Sequence, residues 1–217
     1  MPVPKGGEQW DLDMYKIMPM HGDAYRKHPD FLWQLGIDGD TFLFIENMLR
    51  YLDSKDSGVL QYLGHIDSRD SNVVTASKYG EGKLFWAHGG SGYALSKFML
   101  DRMLKANPWR FNDGSIDREM TEEGAGDVLL GRIVTDDTNG TFLGPNAGEG
   151  LFNPDQVRSL NFNNETWFLP VLSLHHLSNA EVYGLRQFEH RMLNALARKH
   201  GEEGDYIRRC DVASECV

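Results

Sequence analysis

Residues 31–52 read FLWQLGIDGDTFLFIENMLRYL, and a change of apolar spacing inside this stretch decides the fold class. In its first part, apolar side chains recur at every second position, which is the period of a β-strand: Phe31, Trp33, Leu35 and Ile37. After Thr41 the spacing becomes helical, with one apolar face formed by Ile45, Met48, Leu49 and Leu52. The stretch therefore predicts a central strand, a turn at Asp38-Gly39-Asp40, and a helix.

Two carboxylates one residue apart at the end of a strand have two interpretations. In open α/β sheets, ligands bind at the carboxyl ends of the strands, so Asp38 and Asp40 are candidate ligand-binding residues. The alternative is a solvated turn, because Asp and Gly are common turn residues and Asp is favourable near a helix start. A calcium-binding EF-hand loop is excluded, since Phe42 and Phe44 occupy positions that need oxygen ligands.

Composition indicates one globular domain of an acidic protein. The chain has 217 residues, of which 41% are hydrophobic and 25% charged, and its net charge is -10. No basic stripe is present, so nucleic acid is not an expected partner. We predict neither a membrane-spanning segment nor a signal peptide. An anionic substrate would need a local cation, either a metal ion or a few placed basic residues.

The order of predicted elements is that of a mixed α/β domain over residues 1–217. We expect helices at 10–27, after 41, after the glycine cluster at 88–92, from 126 and at 181–199, and short strands at 61–64, 83–87 and 167–177. Loops are expected at 67–82 and 135–150, and a polar tail at 200–217 that contains Cys210 and Cys216.

The segment HGGSG, residues 88–92, is a candidate anion-binding turn. We predict that it precedes a helix, where glycines let backbone N–H groups approach a ligand and the helix N-terminus favours negative charge. Gly89 and Gly90 are therefore candidate residues for binding an anionic ligand. The segment lacks the spacing of known phosphate-binding motifs, and a tight turn without a ligand is the alternative interpretation.

Asp127 opens the apolar segment GDVLLGR, residues 126–132. It is a helix N-cap in one interpretation, and in the other a general base at the rim of a pocket, able to take a proton from a hydroxyl group. Glu122 and Glu123 are rival candidates for that base.

His175 and His176 end an apolar strand, LSLHHL. Because adjacent strand residues point to opposite faces, we expect only one of the two imidazoles to face a given site. One imidazole together with carboxylates would suit Mn²⁺ or another divalent cation.

Taken in order, five segments resemble glycosyltransferase family 31, which holds the Fringe-like and core-1 β1,3-galactosyltransferase-like enzymes, and most of all its fungal members. The segments, between about Trp10 and Met192, are WQLGIDGDTFLFIENMLRYL, QYLG, HGGSGYALSK, GDVLLGR and LSLHHL. A D-x-D pair alone is a weak signal, whereas five segments in the family's order make a fairly specific one.

The resemblance implies a GT-A fold, a mixed sheet flanked by helices, and transfer of a hexose from a UDP-sugar to a glycan or glycoprotein hydroxyl with inversion. Asp40 and His175 would bind a divalent metal ion, usually Mn²⁺. Asp38 would lie toward the ribose or the metal's water, next to Gly39, and Asp127 would be the base. The resemblance also implies the Golgi or secretory lumen.

The same resemblance predicts elements upstream of the D-x-D strand that would hold the nucleotide base, and a membrane anchor; this sequence carries neither. We therefore expect weak nucleotide binding and self-association along an open sheet edge. Two other functions remain open: a truncated, non-catalytic relative that binds a glycan or a partner, and a metal hydrolase that uses the same acids.

Overall fold

The computed structural model describes residues 9–70, 83–108, 125–138, 150–160, 163, 165–200 and 206–215, and these form helices around small sheets. The helices are α1 (Gln9–Lys27), α2 (Ile45–Asp53), α3 (Lys97–Ala106), α4 (Gly126–Thr138), α5 (Asn179–His200) and α6 (Arg209–Glu215). The strands are β1 (Trp33–Gly36), β2 (Phe42–Leu43), β3 (Tyr62–Gly64), β4 (Ile66–Asp70), β5 (Lys83–Ala87), β6 (Tyr93–Ser96) and β7 (Ser173–Leu174). The mixed α/β class expected from the sequence is confirmed.

The strand before the two aspartates lies at the edge of its sheet rather than at the centre, as far as the described residues show. The sheet has the order β1-β6-β3, and β6 pairs antiparallel with both neighbours. The expected alternation is present in β1, but Gln34 and Gly36 are its buried residues, whereas Leu35 is 38% exposed. The expectation that this strand is central is therefore wrong, because β6 is the central strand of this sheet.

One hydrophobic core fills the space between this sheet and three helices, α1, α3 and α4. It includes Met18 from α1, Leu95 from β6, Met99 from α3 and Leu130 from α4, all fully buried. Helix α4 lies directly against β5, because a β-carbon on Gly131 would come within 2.5 Å of the Phe85 carbonyl oxygen. This close contact positions α4 against β5.

A second core joins β2 and β7 to the two C-terminal helices. Phe44, Leu174 and Phe188 pack there with Ile207 and Val212. The last two residues lie within the segment expected to be a polar tail. That expectation is wrong for 206–215, because both side chains are buried with 1% exposure.

Helix α2 is held by polar contacts as well as by packing. Asn47, on its buried side, donates to the carbonyl groups of Val171 and Ile207 at 2.8 Å each and accepts from the Ile207 N–H group. Glu189 of α5 accepts from the Ile45 N–H group at 3.1 Å and so satisfies a free donor at the helix N-terminus. The expected apolar face is only partly inward, since Leu49 is 56% exposed.

Two expected loops are shorter than predicted. Residues 66–70 form β4, which pairs antiparallel with β5, and residues 135–138 continue α4. The remaining parts, 71–82 and 139–149, lie outside the described residues, as does Cys216.

Candidate functional site

Strands β2 and β7 bring together two segments that are far apart in the sequence. Phe42 pairs with Leu174 and Leu43 with Ser173, in antiparallel register. Continuing this register toward the start of β2 sets Asp40 opposite His176. The Leu177 N–H group then donates to the Asp40 carbonyl oxygen at 3.1 Å, which closes the pairing. The aspartate of the turn and the two histidines therefore meet because of backbone pairing.

Asp40 lies between both imidazoles. Its Oδ1 is 3.2 Å from Nε2 of His175, and its Oδ2 is 3.7 Å from Nδ1 of His176. One ligand atom from each of the three residues lies within 4.8 Å of the others. Asp38, which the resemblance placed toward the ribose or the metal's water, is not a member of this cluster.

The expectation that only one histidine faces the site is wrong. Strand β7 ends at Leu174, and His176 has a φ of 55°, in the left-handed region, which among the described non-glycine residues occurs at His176 alone. This turn of the backbone brings the second imidazole to the same side, where its ring stacks on that of His175 at 3.8 Å. A non-glycine residue in this conformation is uncommon, and such strain gathers at functional sites.

A hydrogen bond at Nδ1 of His175 leaves Nε2 without a proton when the ring is neutral. Nδ1 donates to the Pro154 carbonyl oxygen at 3.1 Å, so the proton of a neutral ring is on Nδ1. The Nε2 lone pair then faces the Asp40 carboxylate, and two acceptors at this distance repel unless a cation or a proton lies between them.

The donor set fits a divalent transition metal ion. Two imidazoles and one carboxylate can bind such an ion, and the carbonyl of Pro154 orients the His175 ring as partners of metal-bound histidines commonly do. Asp40, His175 and His176 would hold the ion.

The glycine cluster forms a turn before a strand, so the expectation that it opens a helix is wrong. The Gly92 N–H group donates to the Gly89 carbonyl oxygen at 3.0 Å, and β6 begins at Tyr93. The Gly89 N–H group donates to Oδ2 of Asp127 at 2.9 Å. Gly90 packs against the His175 ring, which occupies the space that a side chain at position 90 would need. Both glycines line the pocket, and their contacts are with the Asp127 and His175 side chains.

Asp127 lies in the first turn of α4, half-buried. Besides the Gly89 bond, its Oδ1 accepts from the Val128 N–H group at 2.8 Å. The carboxylate is therefore fixed by two backbone donors at the wall of the pocket that also contains Asp40. The rival candidates Glu122 and Glu123 lie outside the described residues.

The pocket has a volume of about 700 Å³, which is in the range of small-molecule binding sites. Its polar lining includes Asp38, Asp40, Asp127, His88, His175 and His176, together with Tyr93, whose hydroxyl group bonds His21; Gly39 is at its rim. Asp38 is exposed there, and its carbonyl oxygen accepts from the Thr41 N–H group.

His88 is a pocket residue that sequence reasoning did not single out. Its Nδ1 accepts from the Ser91 N–H group at 3.1 Å, and its ring meets that of His175 edge-on at 5.5 Å. Burial lowers the pKa of His88, and Asp127 acts in the opposite direction. The only available sequence signal was its place directly before the two glycines.

A buried polar network lies under the pocket. His21 of α1 bonds Gln34 through Nδ1 at 2.9 Å and the hydroxyl group of Tyr93 through Nε2 at 2.8 Å. Because the Gln34 oxygen only accepts, Nδ1 carries the proton and Tyr93 donates to Nε2. Burial lowers the pKa of His21 and raises that of Tyr93. The network joins α1, β1 and β6.

A mixed α/β domain with a carboxylate–imidazole cluster and a fixed carboxylate in one pocket is the type of site seen in enzymes that act on anionic substrates through a divalent ion. The model of a family described as Fringe-like matches residues 12–142, which is more than half of the chain, and the chain belongs to this family. Membership indicates a glycosyltransferase. The match includes Asp38, Asp40 and Asp127 and ends before His175. No curated protein matches the chain.

Proposed function

We propose that the protein is an inverting, metal-dependent glycosyltransferase that moves a hexose from a UDP-sugar to a hydroxyl group of a glycan or glycoprotein. The observation that carries the proposal is that the Asp40–His175–His176 cluster and Asp127 line one pocket. The Fringe-like family supports glycosyl transfer, and the donor set supports the metal.

Asp40, His175 and His176 bind the divalent ion from one side in this proposal. When bound, Mn²⁺ or a similar ion supplies positive charge that stabilises the leaving diphosphate. The protein's own net charge of -10 makes such a local cation necessary for an anionic donor. Asp38 and Gly39, at the exposed rim beside this cluster, contact the nucleotide's ribose.

Asp127 accepts the proton of the attacking hydroxyl group. A carboxylate in this role contributes about a hundred- to ten-thousand-fold in rate. The bonds from Gly89 and Val128 leave lone pairs on both oxygens and hold the group in one orientation. A carboxylate fixed in this way is prepared to meet an acceptor without rearrangement.

The proposed place of action is the Golgi or secretory lumen, in line with the family. Among the described residues, no helix combines the length and the apolar character needed to cross a membrane. The proposed partners are a UDP-sugar donor and a glycan or glycoprotein acceptor.

Isothermal titration with UDP, with and without Mn²⁺, tests the proposal. We expect UDP binding that requires Mn²⁺ and that is lost in Asp40→Asn but kept in Asp136→Asn, an exposed residue of α4. Release of UDP from a panel of UDP-sugars in the presence of glycan acceptors then tests transfer. Mn²⁺-dependent UDP binding with no turnover of any donor would favour a non-catalytic relative. No UDP binding at all would overturn the proposal.

A further inference from the structure

His88 has a fixed tautomer because of its own turn. The Ser91 backbone N–H group can only donate, and it points at Nδ1 of His88 at 3.1 Å. Nδ1 must therefore present a lone pair, and a neutral ring carries its proton on Nε2. The Ser91 hydroxyl group donates to the His88 carbonyl oxygen at 2.9 Å, and the His88 N–H group donates to the His65 carbonyl oxygen at 2.8 Å, so the backbone is held as well.

The same ring lines the pocket that contains Asp40 and Asp127. It packs edge-on against His175, which belongs to the carboxylate–imidazole cluster. Its chain neighbour, Gly89, donates to the Asp127 carboxylate through the backbone N–H group. In a displacement reaction the transferred group lies between the nucleophile's base and the leaving group. His88 therefore borders the space of the transferred sugar.

We propose that His88 is a donor-sugar specificity residue: its Nε2–H group donates a hydrogen bond to a hydroxyl oxygen of the transferred hexose. The inference rests on the proposed function and adds to it a contact that neither the metal cluster nor the base provides.

The other polar side chains of the pocket explain why a sugar hydroxyl group is the partner. Asp38, Asp40 and Asp127 are carboxylates, which only accept when ionised. In the proposed function His175 and His176 bind the metal ion, and the Tyr93 hydroxyl group donates to His21. The carboxylates can receive hydroxyl protons, but they cannot satisfy the hydroxyl oxygen lone pairs. A neutral imidazole with its proton on Nε2 is the complementary donor. A pocket with this donor binds poorly any sugar that lacks a correctly placed hydroxyl group, because the N–H group that the sugar covers is then left unpaired.

Two variants separate this role from a structural one. In His88→Asn, the amide oxygen is near the position of Nδ1 and can still accept from Ser91, but the pocket donor is lost. In His88→Gln, the amide nitrogen is near the position of Nε2 and can still donate into the pocket, but the acceptor for Ser91 is lost. His65→Asn is the control, because His65 lies on the neighbouring segment and does not line the pocket.

The experiment is isothermal titration of the full chain with Mn²⁺, using UDP, UDP-glucose, UDP-galactose and UDP-N-acetylglucosamine, with thermal melting of each variant. We expect one UDP-sugar to bind more tightly than UDP. His88→Asn should lose about tenfold of that sugar-dependent affinity while its affinity for UDP and its melting temperature stay near those of the unchanged chain. His88→Gln should keep the sugar preference at a lower melting temperature.

Two results would overturn the inference. One is that no UDP-sugar binds more tightly than UDP. The other is that His88→Asn keeps the full sugar preference; if His88→Gln also loses that preference, so that sugar affinity follows the melting temperature, His88 has a structural role. In both cases, Mn²⁺-dependent UDP binding would leave the proposed function intact. If UDP itself does not bind, both fail.

Discussion

The imidazole of His175 occupies the space beside Gly90 where any other residue would carry its side chain. A β-carbon at Gly90 would lie 2.1 Å from Cε1 and 2.4 Å from Nε2 of this ring. The His175 ring is buried and is also bonded to Pro154, so it cannot swing away without loss of that bond. The Gly90 position therefore controls where Nε2 of His175 lies.

Gly90→Ala should weaken Mn²⁺ binding. The added methyl group displaces His175, and changes at groups that orient metal ligands typically cost about ten- to a hundredfold in affinity. Mn²⁺ affinity measured by electron paramagnetic resonance checks the expectation. Gly184→Ala is the control, because its β-carbon would meet nothing within 4 Å and it does not line the pocket. Equal Mn²⁺ affinity in the two variants would contradict the metal site.

Replacing His176 by glycine should separate stability from metal binding. Glycine accepts the φ of 55° without strain, whereas alanine retains the strain, so His176→Gly should be more stable than His176→Ala by about 1 kcal/mol. Both variants should bind Mn²⁺ about tenfold more weakly, since each lacks one imidazole. Chemical denaturation and Mn²⁺ titration measure the two effects. Unchanged Mn²⁺ affinity in either variant would remove His176 from the ligand set.

Asp127→Asn should reduce transfer by about a hundred- to ten-thousand-fold and leave UDP–Mn²⁺ binding almost unchanged. The amide oxygen can still accept from Gly89, so the turn is kept, whereas the bond from Val128 is lost and the group no longer takes a proton at neutral pH. Initial rates and UDP titration of the same preparation measure both. Near-normal turnover would transfer the base role to another carboxylate, with Glu122 and Glu123 as the first candidates.

Acidification should destabilise the protein through His21. Burial lowers the pKa of this residue, while in the unfolded chain it titrates near its ordinary value of about 6.5. Below that value the unfolded state binds a proton that the folded state does not, so the free energy of unfolding falls as the pH falls. The slope from one such group is at most about 1.4 kcal/mol per pH unit.

Urea denaturation of the unchanged chain and of His21→Asn between pH 5 and pH 8 measures this contribution. The variant should be less stable at pH 8, because Tyr93 loses its acceptor, and should show a shallower fall below about pH 6.5. His88, whose pKa burial also lowers, accounts for part of the remaining slope. Equal slopes in the two proteins would show that His21 is not the responsible group.

Self-association along β1 remains a prediction. This strand is at an edge of its sheet among the described residues and presents Leu35 outward, 38% exposed. Leu35→Lys should reduce any concentration-dependent dimer, because charged residues on edge strands oppose pairing. Val59→Lys, at a 44% exposed apolar residue away from that edge, is the control. Sedimentation velocity showing a monomer at all concentrations would contradict the prediction.

The sequence predicted the meeting of Asp40 and His175 through a family resemblance, whereas the structure supplies the physical reason. Strands β2 and β7 have two residues each, too short for any periodicity to show. Their pairing nevertheless sets the register that places the aspartate against the histidines. The limits of α1 and α5 and the start of α4 were predicted more closely, because these helices are long enough for start signals and spacing to be read, whereas the end of α4 was missed.

The errors have local causes. The rule that neighbouring residues alternate failed at His176, because the strand had ended and the backbone had turned to positive φ. The glycine cluster leads into β6, whose four buried residues, Tyr93–Ser96, carry no alternation that would distinguish a buried strand from a helix start. In the C-terminal segment, Ile207 and Val212 are isolated among polar residues, so no pattern marked them as core.

The β2–β7 pairing and the Asn47 contacts also determine how late in synthesis Asp40 can meet His175 and His176. Asn47 bonds Ile207 across 160 positions, and both partners of Asp40 lie more than 130 positions downstream of it. Closing such long loops costs entropy before any contact repays it, and folds of high contact order form slowly. A ribosome must therefore release nearly the whole chain before Asp40 meets its histidines. In the proposed metal site, Mn²⁺ binding would therefore report that folding is nearly complete, and a nascent chain stopped before residue 170 should bind none.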